Sequence, residues 1–334
     1  MSLSKPGSSR SKIKRIAVLT SGGDSPGMNA AIRAVVRTAH FKGLEVFGVM
    51  RGYRGLMEGD FEKLGPRSVS NIIQRGGTIL KTSRHGDFRT KKGLAQAARA
   101  LDDAGIEGLV AIGGNGTYNG ALDLSKVWKG RIIAAPGTID NDLYGTDMTI
   151  GYDTAVNTAL QAIDKIRDTA DSHERFFLIE VMGRHAGFIA LDVAVSAGAE
   201  EVLIPETRES IATLGKRLLA SEKKGKLSNI LIVAEGSTHG GAFETAKKLQ
   251  KVTGHDYRVV VLGHMQRGGS PTAVDRVLAS ELGAFAVEQL IKGRSGLAVG
   301  KRNGRLVTAT LRDAVTRRKD IDRYLLKLLP VLSV

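Results

Sequence analysis

Cysteine is absent from all 334 residues, so neither a disulfide framework nor a thiolate metal site organises this chain. Aromatic residues make up only 5% of it. A nucleic-acid surface would interleave aromatics with a basic block; no such block occurs, despite a net charge of +15. No apolar run approaches membrane-spanning length, and the N-terminus lacks the apolar core of a signal peptide. Neither nucleic acid nor membrane is therefore expected as a partner, and a cytoplasmic location is the default. Proline is sparse at 7 residues while glycine reaches 41, a composition that suits regular elements joined by tight loops.

What is present is length, apolar content and positive charge. The 334 residues, 42% of them hydrophobic, are enough for a large core and two domains. Lysine and arginine number 49 against 34 acidic residues. Part of that excess sits at the ends, where residues 1–14 read as a flexible tail or leader and Arg317-Arg318-Lys319 lies near the C-terminus. The remainder fits a solvated basic surface or phosphorylated small molecules.

Residues 15–20 (RIAVLT) form a short β-branched strand that runs into Ser21-Gly22-Gly23-Asp24-Ser25-Pro26-Gly27. A helical pattern follows, with Ala31, Val35 and Val36 on one face. Strand, glycine loop and helix N-terminus make a phosphate cradle, because backbone N–H groups point outward and the helix dipole favours anions. The loop is neither a Walker A sequence nor a dinucleotide fingerprint. A strand near 45–50 and a glycine-rich connection lead through residues 72–83 to a loop carrying Arg84, His85 and Arg89, where arginines could clamp phosphate. After a helix over about 91–104, a strand at 108–112 and Gly113-Gly114-Asn115-Gly116-Thr117-Tyr118 repeat the cradle pattern. A third apolar run, 132–135, is broken by Pro136-Gly137 and delivers Thr138-Ile139-Asp140-Asn141-Asp142 to a strand's carboxyl end, where ligands of parallel sheets bind. Two carboxylates two residues apart can divide labour, one taking a proton and the other holding a metal-bound water.

The second half continues the alternation. A long helix runs to about residue 172, and a strand at 176–181 ends in Met182-Gly183-Arg184-His185. Further α/β units occupy 202–205, 210–223, 229–235 and 242–252. A strand at 258–262 then ends in Gly263-His264-Met265-Gln266-Arg267, and a helix at 273–291, two short strands and one final helix close the chain. The expected fold is α/β: two doubly wound, Rossmann-like, three-layer α/β/α domains with largely parallel sheets. One set of loops offers glycines and acids, the other Arg184, Arg258, Arg267 and His264. That division suits a nucleotide with magnesium facing an anionic acceptor, the layout phosphoryl transfer needs.

Five segments, GGDSPGMNAAIR, PGTIDND, MTIGYDTAVNT, EVMGRHAG and GHMQRGGSP, stand in the order and spacing of the bacterial-type ATP-dependent 6-phosphofructokinase family, which the chain resembles over about residues 14–330. The resemblance implies phosphorylation of fructose 6-phosphate at its 1-hydroxyl by magnesium–ATP. Asp140 would be the general base, Asp142 its support, and Thr138, Arg84 and Arg184 would act at the reacting end. Gly23, Arg84, Arg89, Gly114, Asn115, Gly116 and Thr117 would hold ATP. Thr138, Asp140, Met182, Gly183, Arg184, Glu235, His264 and Arg267 would hold the sugar phosphate, with Arg175 and Arg258 reaching it across a subunit interface of a homotetramer. The implied division is a larger ATP domain, 13–151 plus 268–318, a smaller substrate and effector domain, 152–267, and a flexible tail, 1–12.

Three departures qualify these expectations. Arg33, Arg37, Arg167, Glu200, Lys224 and Lys226 stand where the family binds ADP or phosphoenolpyruvate, yet Pro66 and Ser228 replace an arginine and a histidine usual there. Asn115 stands where the family commonly has the aspartate of its magnesium site, which weakens the attraction for a hard cation. That leaves a catalytically weak regulatory paralogue as one alternative. The other is use of pyrophosphate, but enzymes of that branch commonly carry Asp and Lys where this chain has Gly116 and Gly137, so ATP is favoured.

Overall fold

The structure, a computed structural model, describes residues 13–83, 86–173, 175–224 and 229–333. Residues 1–12 and the candidate residues Arg84, His85, Lys226 and Ser228 lie outside the described residues. Ile13 is buried and Lys14 donates its backbone N–H to Glu107 at 2.6 Å, so residues 13 and 14 belong to the fold and not to a tail.

The first part runs β1 (Arg15–Ser21), α1 (Met28–Phe41), β2 (Glu45–Val49), α2 (Gly52–Glu58), β3 (Phe61–Leu64), α3 (Lys91–Asp103), β4 (Gly108–Gly113), α4 (Asn115–Leu124) and β5 (Arg131–Pro136). Helix α2 and strand β3 fill what the sequence presents only as a glycine-rich connection. Seven and four residues are too few to display a period, and Arg51 and Gly59 bound α2 in left-handed conformations. The second part runs α5 (Tyr152–His173), β6 (Phe176–Val181), α6 (Phe188–Ser196), β7 (Glu201–Leu203), α7 (Ile211–Glu222), β8 (Asn229–Ala234), α8 (Ala242–Thr253) and β9 (Tyr257–Val261). The chain then returns through α9 (Ala273–Ile291), β10 (Leu297–Arg302) and β11 (Arg305–Thr310) to α10 (Leu311–Thr316) and α11 (Arg323–Leu332). The single final helix expected from the sequence is thus two. Asp322 starts the second by accepting the backbone N–H groups of Tyr324 and Leu325.

Seven strands form one sheet in the order β11-β10-β5-β4-β1-β2-β3, and four form another in the order β7-β8-β6-β9. The small sheet is wholly parallel; in the large one only the edge strands β3 and β11 pair antiparallel. The central strands β1 and β4 are buried on both faces, which is why they read as unbroken apolar runs rather than alternating ones. Helices α1 and α9 cover one face of the large sheet around Ile32, Val35 and Leu282, and α3, α4 and α10 cover the other around Leu101, Tyr118 and Leu311. Burying each such aliphatic side chain contributes about 1.5–3 kcal/mol. The small sheet is layered likewise, with α5, α6 and α11 on one face and α7 and α8 on the other.

Two features of this topology place a cleft. Ser21, Gly113 and Pro136 are in register across β1, β4 and β5, so three loops leave the sheet at one level. Helix α1, after β1, packs on one face and α4, after β4, on the other, so the loops diverge and open a crevice between them. The chain leaving β9 then crosses back to this rim before α9.

Candidate active site

The floor of the cleft is made by the Ser21–Gly23 loop and the N-terminus of α4. Thr90, Ser210, Thr272 and Thr310 cap α3, α7, α9 and α10 with their hydroxyls. Gly27 and Gly114, before α1 and α4, offer no side-chain cap. At α4 the first N–H groups are thereby left for a ligand, and an anion satisfies both the hydrogen bonds and the dipole, whereas at α1 the Met28 N–H is taken by the Ser25 carbonyl at 3.2 Å. Thr117 Oγ1 donates to the Ser21 carbonyl at 2.9 Å, and Thr82 Oγ1 to Gly22 at 2.7 Å, so the two glycine loops are fixed to each other and to the chain beside them. At position 23 a Cβ would stand 2.6 Å from Arg267 Nη1 and push that guanidinium aside, whereas a Cβ at Gly116 would have no neighbouring atom within 4 Å.

A cavity of about 300 Å³ rises from this floor. Its lining brings together Gly23, Arg89, Gly114, Asn115, Gly116, Thr117, Thr138, Asp140, Arg184 and Arg267. It also includes Ser21 and Gly22 of the first glycine loop, and Tyr53, Ser83 and Phe88, which the sequence alone does not single out. Tyr53 and Phe88 stack at 3.9 Å between ring centroids, and Tyr53 donates to the Thr117 carbonyl at 2.6 Å. Nothing local marks them, because one lies in the short α2 and the other in a single turn of 3-10 helix, Gly86–Arg89. Arg89 itself is exposed and bonded to Asp123 at 2.8 Å.

The acidic turn after β5 stands over the cavity. Thr138, Asp140 and Asn141 are buried, and Asn141 is left-handed at φ 54°. The Asp140 backbone N–H donates to Thr138 Oγ1 at 3.2 Å, and Thr149 Oγ1 donates to the Thr138 carbonyl at 2.6 Å. Asp140 Oδ1 and Asp142 Oδ1 are both buried without a hydrogen-bond partner among the described residues. Such acceptors are costly unless a ligand completes them. Burial pushes the Asp140 carboxyl above the ordinary carboxylate range, opposed by Arg267 and Arg184. Asp142 is raised as well, by burial and then by the Asp140 charge. Asn115 Nδ2 donates to Asp142 Oδ2 at 2.6 Å, so the amide holds this carboxylate as a neutral donor.

The small sheet supplies the opposite wall. Met182 is buried, with its N–H held by Gln266 at 2.8 Å, and Gly183 and Arg184 both take positive φ as the chain turns off β6. Arg267 approaches Asp140 to 3.9 Å and donates to the Asp24 carbonyl at 3.2 Å, joining the two walls. Glu235, at the end of β8, is raised by partial desolvation and then by Asp140. Gln266 was not among the sequence candidates; it is fully buried and also donates to the Ala155 carbonyl at 3.4 Å.

Other candidates do not line this cavity. His264 is exposed beside Arg267 and does not line the cavity. Arg175 and Arg258 share a separate groove with Phe243 and Lys247 across the outer edge at β9. Arg33 and Arg37 sit one turn apart on α1, and burial together with Arg37 lowers the Arg33 pKa. Arg167 donates to the carbonyls of Ala197 and Gly198 at 2.6 and 2.9 Å, while Glu200 and Lys224 line a different groove with Arg217 and Pro330. Arg33 and Arg37 thus stand on a helix of the large sheet, while Arg167 is held two residues along the chain from Glu200.

Residues 15–290 match the family model described as phosphofructokinase. The chain is 58% identical over 322 residues, 96% of its own length and all of the relative's, to the "ATP-dependent 6-phosphofructokinase 1" of Thermus thermophilus. It is 51% identical over 321 residues, again 96% of this chain and 100% of the relative, to the "ATP-dependent 6-phosphofructokinase" of Clostridium botulinum. The crystal structure of Pichia pastoris phosphofructokinase in the T-state superposes with TM-score 0.86 at 31% identity; it covers the whole of this chain, which spans 40% of that polypeptide. A pyrophosphate-dependent phosphofructokinase from Marinobacter aquaeolei shares the fold with TM-score 0.81 at 23% identity over 93% of this chain and 86% of its own.

Proposed function

The chain belongs to the phosphofructokinase family, and on that premise we propose that its cleft carries the γ-phosphoryl group of ATP to the 1-hydroxyl of fructose 6-phosphate. The products are fructose 1,6-bisphosphate and ADP. The observation that carries this reading is Asp140 Oδ1, buried without a hydrogen-bond partner among the described residues, in a cavity lined by the uncapped N-terminus of α4 and by Arg184 and Arg267.

The phosphates of ATP enter over the backbone of Gly23, Gly114, Gly116 and Thr117, and Arg89 serves the same ligand from the rim. The Asp140 carboxylate takes the proton of the sugar's 1-hydroxyl. The freed oxygen forms its bond to the γ-phosphorus as the bond from that phosphorus to the β–γ bridging oxygen breaks, and the electron pair departs with ADP. Its raised pKa brings Asp140 closer to the hydroxyl in basicity than an ordinary carboxylate. Thr138 and Arg184 act at the reacting end, where the guanidinium offsets the charge of the moving group. Arg267, Glu235, Met182, Gly183 and His264 surround the sugar phosphate.

Magnesium would neutralise the phosphate oxygens and hold them in line. The residues fit it: Asp142 offers an unpartnered buried Oδ1 and Asn115 a side-chain carbonyl, a sparse oxygen set of the kind magnesium accepts when phosphates and waters fill the rest.

Arg175 and Arg258 then serve a neighbouring subunit of a homotetramer, and the α1 arginines, Arg167, Glu200 and Lys224 gather around ADP or phosphoenolpyruvate only when subunits meet. Metabolic context makes the cytoplasm the expected site of action; no helix among the described residues is long and apolar enough to cross a membrane. A coupled assay that compares ATP with pyrophosphate at varied magnesium tests the donor. Turnover with ATP is expected, and a preference for pyrophosphate would overturn the assignment.

A further inference from the structure

The acidic turn is gripped from behind by a residue that lies beyond the family match of 15–290. Lys319 sits in the segment between α10, which packs against the large sheet, and α11, which packs on α6 of the small one. Its ammonium donates to Asn141 Oδ1 at 2.9 Å and to the Asp147 carbonyl, and stands 5.1 Å from the centre of the Phe188 ring. Asn141 Oδ1 accepts at the same time from the Thr149 N–H at 3.1 Å.

Asn141 is the residue between Asp140 and Asp142, and its left-handed backbone decides the direction in which the two flanking carboxylates leave the turn. A non-glycine residue keeps that conformation only where surroundings hold it. Here the side chain is held by two donors, one of them cationic, and a charge-assisted bond is roughly twice as strong as a neutral one. Phe188 closes one side of the ammonium, and Asp192, itself bonded to Tyr152 at 2.6 Å, lies near it on the same helix. The acceptors of Lys319 are Asn141 and Asp147 rather than either carboxylate of the turn, so its influence on Asp140 passes through Asn141.

We propose that Lys319 is a positioning residue for phosphoryl transfer: by fixing Asn141 it aims Asp140 into the cleft, and it ties that aim to the segment joining the two sheets' layers. The proposal rests on Asp140 being the base. The side chain is held for this task even though burial pulls its pKa down to about 8, with Asp147, Asp192 and Asp142 opposing the fall.

The test uses the full chain and measures kcat, both KM values and the thermal midpoint for Lys319→Met, Asn141→Gly and the double variant. Glycine adopts the left-handed backbone freely but offers no oxygen for the lysine to hold. Lys319→Met is expected to lower kcat about tenfold, the weight of one charge-assisted bond, with KM for ATP and for fructose 6-phosphate within about twofold of wild type. Asn141→Gly is expected to lower kcat similarly, and the double variant to fall no further than the worse single one. Unchanged kcat in a folded Lys319→Met protein, even with a lowered thermal midpoint, would overturn the proposal, as would losses that multiply in the double variant. Should Lys319→Met not fold, Asn141→Gly decides alone, and full kcat there overturns the idea. Asp140→Asn runs beside these, so that retained turnover in it indicts the assignment of the base and not the role of Lys319.

Discussion

Replacement of Asn115 by aspartate probes the charge design of the cleft. The amide now donates to Asp142 at 2.6 Å, two residues along the turn from Asp140. Asn115→Asp removes that bond, costing about 1.5–3 kcal/mol for a partner that is charged. It also sets a second carboxylate against Asp142, a repulsion of about 4 kcal/mol at 4 Å and an effective dielectric of 20. Without a cation both effects act against the folded protein. With magnesium–ATP bound, the same charge becomes an attraction for a hard cation that prefers carboxylate to amide oxygen. Stability and activity should therefore move in opposite directions. The metal-free variant is expected to melt below wild type, and its kcat/KM for magnesium–ATP to rise about tenfold, equal to 1.4 kcal/mol of transition-state stabilisation. A coupled assay across magnesium concentrations, paired with calorimetry in chelator, measures both. Unchanged or lower kcat/KM, or a magnesium dependence no steeper than that of wild type, would refute the reasoning.

Gly23→Ala sets a methyl 2.6 Å from Arg267 Nη1 and must displace that guanidinium from its place between Asp24 and Asp140; a raised KM for fructose 6-phosphate with a near-normal melting curve is expected, and unchanged kinetics would contradict it. At Gly116 an added Cβ meets no atom within 4 Å, so in Gly116→Asp the fold should survive while the new carboxylate opposes the nucleotide, and KM for ATP should rise in the coupled assay. For the base, the sign is fixed by the causes. Asp140 is raised by burial and lowered by Arg267 and Arg184, and only its ionised form takes a proton. The acid limb of kcat should lie above the ordinary carboxylate pKa, and Arg267→Gln, which removes a lowering influence, should move it further up the pH scale; a shift downwards would refute the assignment.

The layering was legible because the central strands are apolar on both faces and each ends in glycine. A buried parallel strand and a phosphate loop both leave a mark in residue type alone. The acidic turn was legible for the same reason, since Pro136-Gly137 breaks the strand and the carboxylates follow at once. What stayed hidden depends on partners distant in the chain. Tyr53 and Phe88 meet only because α2 and a short 3-10 turn pack side by side, and neither is long enough to show a period. Gln266 and Lys319 reach the site through hydrogen bonds to residues 84 and 178 positions away. Asn115 was visible as a departure from the family loop, but its donation to Asp142 was not.

The central claim is that the Asp140 carboxylate removes the proton of the acceptor hydroxyl. Asp140→Asn keeps the volume and polarity of the side chain and takes away only the base. Turnover of ATP with fructose 6-phosphate should fall by about 100-fold or more, with both ligands still bound and the thermal midpoint held or raised, since a buried charge has gone. An Asp140→Asn protein that turns over at the wild-type rate would contradict the account.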